Sequence, residues 1–181
     1  MGFSLTLHMV SSLDGKIAKK DQSMAWFETT SPYPKGVEGE DPEAFLKTID
    51  CYVMGSHTYE LAVELAKTYG WAYGNTPLVV LTQRTLPKFH SQVEFHTGSL
   101  DALMDLLKAN YQNVWAVGGS ALAKSLIEAQ CVDEVWVSIL PIILGEGLPY
   151  FDAIENEQLV ALLDVKAYKN GMVELRYQIK K

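Results

Sequence analysis

Two strand-to-helix turns built on glycine constrain this chain more than any other feature. In the first, the apolar run Asp50 to Met54 leads through Gly55-Ser56-His57 into a helical segment from Thr58 to Tyr69, which Gly70 closes just past its end. In the second, Val114 to Val117 leads through Gly118-Gly119-Ser120 into a helix running to about Ala129. A strand that ends on glycine and turns directly into a helix is a unit of parallel sheet, and the helix N-terminus presents free N–H groups to an anion. Neither turn matches the G-x-G-x-x-G fingerprint or the P-loop, and each glycine taken alone also serves tight packing.

The remaining segments extend the same pattern. Strands are expected at Phe3 to Val10, Pro77 to Thr82, Val93 to His96 and Glu134 to Leu140, and a helix at Ser99 to Asn110 with its leucines on one face. Asp41-Pro42-Glu43 supplies an N-cap, a proline at the first helical position and an acidic first turn for a short helix through Lys47. Between Ala18 and Glu40 the residues are polar and broken by Pro32, Pro34, Gly36 and Gly39, which reads as a long surface excursion. The chain ends in two strands, Leu159 to Tyr168 and Met172 to Ile179, joined at Asn170-Gly171, a strong hairpin signal. The expected fold is α/β, with about eight mostly parallel strands, helices on both faces and an antiparallel C-terminal hairpin.

At 181 residues, with no internal repeat or linker, residues 1–181 read as a single domain. The net charge of −7 disfavours a nucleic-acid partner. No apolar stretch is long enough to span a membrane and no signal-peptide layout is present, so a cytoplasmic protein without a membrane partner is expected. Cys51 and Cys131 can form neither a disulfide framework nor a four-ligand metal site, and His8, His90 and His96 lack metal-ligand spacing, so no metal is expected. Only Arg84 and Arg176 can offer a bidentate grip on a phosphate or carboxylate.

Taken in order, SSLDGKIA from Ser11, MGSHTYE from Met54, LTQR from Leu81, VGGSALA from Val117, VDEVWVSILPIILGEGLPYF from Val132 and YKNG from Tyr168 are specific as a set. The chain resembles the dihydrofolate-reductase-like superfamily. Within it, the chain is most similar to stand-alone relatives of the reductase domain of bacterial riboflavin biosynthesis, and the likeness spans essentially the whole length. The resemblance implies NADPH lying across the carboxyl ends of the strands. Carried over by position, Gly55, Ser56, His57 and Thr58 would line the pyrophosphate and adenosine half. Leu81, Thr82, Gln83 and Arg84 would meet the adenosine 2′-phosphate. Gly118, Gly119, Ser120, Ala121 and Leu122 would lie next to the pyrophosphate, where dihydrofolate reductases have a cis Gly-Gly bond. Ile17 and Ala18 would pack on the nicotinamide.

A guanidinium just past a strand end suits a phosphomonoester, which makes Arg84 the expected selector for the phosphorylated coenzyme. Dihydrofolate reductases carry an arginine where this chain has Ser56, a departure that favours some use of NADH. On the substrate side, Asp41 and Phe45 resemble the acid and aromatic that hold a pteridine, with Asp41 as catalytic acid, although Asp-Pro-Glu is first of all an ordinary helix start that Asp41 caps. Trp26 resembles the aromatic that both families place near the nicotinamide and substrate, or else it pins its loop, and Tyr59 and the loop Pro141 to Pro149 are expected to complete the walls of the pocket or a subunit contact.

Thr76 stands where dihydrofolate reductases grip the folate glutamate with arginine, and Val117 stands where riboflavin-pathway reductases place a glutamate. Both departures speak against the usual substrates. The expected activity is hydride transfer from NADPH to a small pterin-like, aminopyrimidine-like or carbonyl substrate. The alternatives are dihydrofolate reductase activity or a non-catalytic NADP(H)-binding protein. The resemblance and the apolar run Val135 to Leu144 also imply a homodimer.

Overall fold

The computed structural model describes residues 2–39 and 45–181. Eight strands form one sheet: β1 (Ser4–Ser12), β3 (Cys51–Gly55), β4 (Leu78–Leu81), β5 (Val93–His96), β6 (Asn113–Gly118), β7 (Glu134–Leu140), β9 (Val160–Ala167) and β10 (Val173–Ile179), in the order β5-β4-β3-β6-β1-β7-β10-β9. The six strands from β5 to β7 are all parallel, and β10 runs antiparallel to both β7 and β9. Among the described residues, three helices of two turns or more accompany them: α1 (Ser56–Tyr69), α2 (Leu100–Asn110) and α3 (Ser120–Glu128). The expected helix start at Asp41-Pro42-Glu43 lies outside the described residues.

Alternation in β1 sends Leu5, Leu7 and Met9 to one face of the sheet, where they meet Cys51, Val53, Val114 and Ala116 from the neighbouring strands. Helices α2 and α3 cover that face with Leu103, Met104 and Leu107 and with Leu122, Ala123, Leu126 and Ile127. The i, i+3, i+4 spacing of these residues makes one apolar stripe per helix, and truncating any one of the buried leucines to alanine would cost about 2–5 kcal/mol. Helix α1 takes the opposite face, packing Tyr59 over Tyr52, Met54, Leu78, Val80 and Val93. Its end is set by Gly70 at φ +83°, whose N–H donates to the Ala66 carbonyl at 3.0 Å.

Two elements escaped the sequence reading. Residues Lys16–Ala18 (β2) and Leu148–Pro149 (β8) pair as a small antiparallel ribbon at the carboxyl end of the main sheet. At two and three residues they are too short to carry a periodic signal. The excursion after Ala18 also has structure: a 3-10 turn at Ala25–Glu28, then a course along the terminal hairpin. Ser31 N–H donates to Asn170 O and Tyr33 N–H to Lys169 O, both at 2.9 Å, and Val37 N–H donates to Ala167 O at 2.8 Å. The hairpin turns as expected, with Gly171 at φ +85° and Tyr168 N–H donating to Met172 O at 2.8 Å.

Candidate active site

The carboxyl ends of β1, β3 and β6 converge on the two glycine turns. Gly118 sits at φ +101° and is joined to Gly119 by a cis peptide bond, as the resemblance implied. A Cβ at Gly118 would lie 2.2 Å from Met9 Sδ, so both its conformation and its closeness to β1 demand glycine. A Cβ at Gly119 would approach Thr58 Oγ1 at 3.4 Å and Ile17 Cδ1 at 3.9 Å. Residues expected to contact one ligand, yet drawn from three separate segments, therefore meet at one point. Gly55 and Gly119 are the N-caps of α1 and α3, and neither helix has a side-chain cap, which leaves the first-turn N–H groups open to an anion. A Cβ at Gly55 would meet nothing within 4 Å, so there the glycine leaves open space in front of the helix.

Ser56, His57 and Thr58 form the first turn of α1, and Ser120, Ala121 and Leu122 that of α3. The Leu122 side chain belongs to the core and the Ser120 hydroxyl donates to Pro149 O, so these two face the site through their backbone. Ala18 is buried and its carbonyl lies where a Cβ at Gly147 would be only 2.2 Å away. The turn after β1 is stitched by Asp14, whose carboxylate accepts from Ser12 Oγ at 2.6 Å, Leu144 N–H at 3.0 Å and Gly145 N–H at 2.8 Å. Those donors hold the Asp14 carboxyl down at about 2.

At the end of β4, Leu81 packs against the core, Thr82 is buried, and Gln83 Nε2 donates to Thr97 O at 2.7 Å. Arg84 N–H donates to Thr82 Oγ1 at 3.0 Å, which fixes its backbone beside the strand end. Its guanidinium is held by Glu60 of α1 in two bonds of 2.6 and 2.8 Å.

Three expectations for the substrate side need correction or fall outside the described residues. Tyr59 does not wall a pocket: it is 1% exposed, and its hydroxyl donates to Pro87 O and accepts from Phe89 N–H. The second apolar core consumes its ring. Trp26 does not wall a pocket but pins its loop: it is 2% exposed in the 3-10 turn, with its ring centroid 4.4 Å from that of Phe27. Asp41 lies outside the described residues. Phe45 does reach a pocket, with its ring 5.1 Å from Trp115 and 5.2 Å from Trp136.

That pocket was not foreseen. On the α1 side of the sheet, His8 of β1, Trp115 of β6 and Trp136 and Ser138 of β7 line a cavity of about 530 Å³ together with Phe45, Tyr168 and Met172. Register explains the grouping: His8 pairs with Trp136, and Trp115 with Thr6, which alternates onto the same face. His8 stacks on Trp115, centroids 4.7 Å apart and 15° from parallel, and its Nε2 lies 2.8 Å from Ser138 Oγ. Burial pushes the imidazole down to about 4, so it is neutral at pH 7. In one strand a single polar residue among alternating apolar ones carries little signal; only the strand order brings the three aromatic positions together.

A second cavity of about 550 Å³ lies between Phe3, Asp101, Lys108, Cys131, Asp133 and Lys181. It sits at the amino end of β1 and along α2, away from the N-termini of α1 and α3, and its Lys181 is paired with Asp133. No group of three potential metal ligands occurs among the described residues, and no helix among them is long and apolar enough to cross a membrane. Cys51 is buried, which raises its thiol to about 12 and leaves it unreactive.

Comparison with known proteins agrees with this architecture. The Bacillus subtilis (strain 168) protein YwjB is 29% identical over 175 residues, covering 94% of this chain and 95% of its own length. A putative riboflavin biosynthesis protein from Shewanella sp. PV-4 superposes with a TM-score of 0.84 at 23% identity, over 99% of this chain and 100% of that one. The Thermotoga maritima diaminohydroxyphosphoribosylaminopyrimidine deaminase/5-amino-6-(5-phosphoribosylamino)uracil reductase superposes with a TM-score of 0.68 at 15% identity, covering 99% of this chain and 57% of that larger one. These neighbours share the dihydrofolate-reductase-like sheet. Residues 4–174 match the family described as RibD C-terminal domain, and the chain belongs to that family as a relative of its reductase domain.

Proposed function

We propose that this chain is an NADPH-dependent reductase that delivers hydride to a small ring or carbonyl substrate. The observation that carries the reading is the meeting of Gly119, Thr58 and Ile17 at the carboxyl end of the sheet, between two helix N-termini without side-chain caps. This donor set fits a dinucleotide. The open first turns of α1 and α3 offer N–H groups to the pyrophosphate, Gly55 leaves room for its approach, and Ile17 offers an apolar edge to a ring. Arg84 and Gln83 stand near α1, where an adenosine ribose would lie. A bound dihydronicotinamide supplies hydride, two electrons and one proton, to a C=N or C=O carbon. The protein's share is then orientation and exclusion of water, and a proton from solvent completes reduction at the heteroatom.

Calorimetric titration with NADPH and NADH is the direct test, followed by spectrophotometric assay of NADPH oxidation with pterin, diaminopyrimidine and carbonyl acceptors. Absence of heat with both coenzymes removes the proposal. Binding without turnover across the acceptors would favour a coenzyme-binding protein that does no chemistry. That second reading draws on Val117, which stands beside Gly118 where the riboflavin-pathway resemblance implies a glutamate.

A further inference from the structure

Asparagine before glycine marks the terminal hairpin in the sequence, and it is also a chemically reactive pair. The tip is a three-residue loop, Lys169-Asn170-Gly171, closed by Gly171 N–H donating to Tyr168 O at 2.9 Å and Tyr168 N–H donating to Met172 O at 2.8 Å. Of the three loop residues only Gly171 has a positive φ, +85°. We propose that Asn170 is a self-modification site, where the chain converts its own side-chain amide into an aspartyl or isoaspartyl link, the latter freeing the segment 31–38 that the tip holds.

Three observations select this residue. Of the five asparagines, Asn75, Asn110, Asn113, Asn156 and Asn170, only the last precedes glycine, so no Cβ shields the following main-chain nitrogen. Asn170 is exposed at a loop tip, open to water and base. Its Oδ1 accepts from Met172 N–H at 3.0 Å, which folds the carboxamide back over the Gly171 peptide and sets a donor on the oxygen where charge develops when Cγ is attacked. By contrast, Asn110 ends α2 with Nδ2 donating to Leu106 O at 2.8 Å, and Asn113 lies in β6 before the branched Val114.

The reaction needs only water. The Gly171 nitrogen gives its proton to base and attacks Asn170 Cγ. The N–Cγ bond forms, the Cγ–Nδ2 bond breaks, and Nδ2 leaves as ammonia with a proton from water, closing a five-membered imide favoured by proximity. Water then opens the ring. Addition at Cγ gives aspartate with the main chain unchanged. Addition at the Asn170 main-chain carbonyl gives isoaspartate, in which the chain runs through Cβ and Cγ and that carbonyl becomes a free carboxylate.

The rerouted product cannot keep the tip. Ser31 N–H donates to Asn170 O and Tyr33 N–H to Lys169 O, both at 2.9 Å, Lys169 N–H donates to Val37 O at 3.0 Å, and Lys169 Nζ pairs with Glu38. The fit is close as well as bonded: a Cβ at Gly36 would strike the Tyr168 backbone, and one at Gly171 would strike Ser31 O. Isoaspartate takes the acceptor of Ser31 out of the main chain and lengthens the loop. Aspartate keeps both, and its carboxylate still accepts from Met172 N–H.

The full chain, Asn170→Gln and Asn170→Asp are aged in mildly alkaline buffer, with a synthetic peptide of residues 166–175 as the clock. Peptide mapping and methylation by an isoaspartyl methyltransferase follow the conversion. Wild type should convert at Asn170 roughly tenfold or more faster than at any other asparagine, with isoaspartate in excess. Limited trypsin digestion after Lys35 then reads segment 31–38. Aged wild type should be cut there about threefold or more faster than fresh protein, whereas aged Asn170→Gln and fresh Asn170→Asp should match fresh wild type. Asn170 left intact when the peptide has converted overturns the proposal, as does isoaspartate at that position with no change in cutting. Faster cutting of fresh Asn170→Asp would assign the release to charge and overturn the rerouting.

Discussion

The Arg84 guanidinium lies fork to fork against the Glu60 carboxylate, Nη2 to Oε1 at 2.6 Å and Nη1 to Oε2 at 2.8 Å, bridging the end of β4 and the first turns of α1. Both side chains are about half exposed, so solvent screens the pair and it adds little to the stability of the fold. Its chemical effect is larger than its energetic one. A 2′-phosphate approaching Arg84 meets a carboxylate already in place.

Coenzyme selectivity should therefore be shallow and set by Glu60. In the wild-type protein NADPH and NADH affinities should differ by less than about tenfold, the equivalent of roughly 1.4 kcal/mol. Glu60→Gln should tighten NADPH about threefold to tenfold and leave NADH alone, whereas Arg84→Ala should weaken NADPH far more than NADH. Calorimetric dissociation constants for both coenzymes decide the matter, and parallel losses for the two would remove Arg84 as selector.

The glycine turns yield a contrasting pair of substitutions. Gly118→Ala forces a Cβ into a left-handed residue and against Met9 Sδ at 2.2 Å, and should cost about 2 kcal/mol or more of stability, seen as a lower urea midpoint. Gly55→Ala adds a methyl where nothing lies within 4 Å, at an ordinary φ of −82°, so the melting temperature should hold. NADPH affinity should nonetheless fall several-fold, because the methyl occupies the approach to the α1 N-terminus. Unchanged affinity in a folded Gly55→Ala protein would mean the coenzyme does not pass there.

His8 predicts acid sensitivity. Unfolded, its imidazole takes up a proton near 6.5; folded, burial delays this to about 4. Between those values the unfolded chain binds more protons, so stability declines as the pH drops from 6.5 towards 4. The side chain keeps some access to the cavity, and the loss is on the order of 1–3 kcal/mol. Urea denaturation at pH 7 and pH 5 should show this decline, flattened in His8→Gln; equal slopes for the two proteins would assign the effect elsewhere.

The edge of the sheet predicts self-association. Val160, Leu162 and Val165 of β9 are 44%, 56% and 51% exposed, and they share a face with Leu175 and Tyr177 of β10. Helices do not cover an apolar strip of this kind at an exposed edge, which a second copy of the chain can do. Sedimentation should give a dimer for the wild type and a monomer for Leu162→Lys combined with Val165→Lys.

The layered sheet was legible because its signals are local and periodic. The leucines of α2 repeat at helical spacing, Gly70 and Gly171 mark a helix end and a hairpin, and Gly118-Gly119 sits where a strand must turn. The meeting of Gly119, Thr58 and Ile17 was legible through the order of short segments rather than through any one motif. The aromatic compartment was not, since His8, Trp115 and Trp136 are separated by more than a hundred residues at their extremes and meet only through strand order. The burial of Tyr59, and the choice between a binding and a loop-pinning Trp26, were not legible because a polar neighbourhood in sequence says little about which rings the fold buries, and the Glu60–Arg84 pairing depends on how α1 lies beside the end of β4.

The stitching of the site's two loops has an engineering consequence. Leu13 N–H donates to Ile142 O at 2.7 Å, Tyr150 N–H to Gly15 O at 2.8 Å, Asp14 holds Leu144 and Gly145, and β2 pairs with β8. Segments 13–18 and 142–150, though remote in the chain, form one interchangeable cassette. A chimera that imports either from a relative must import the other with it.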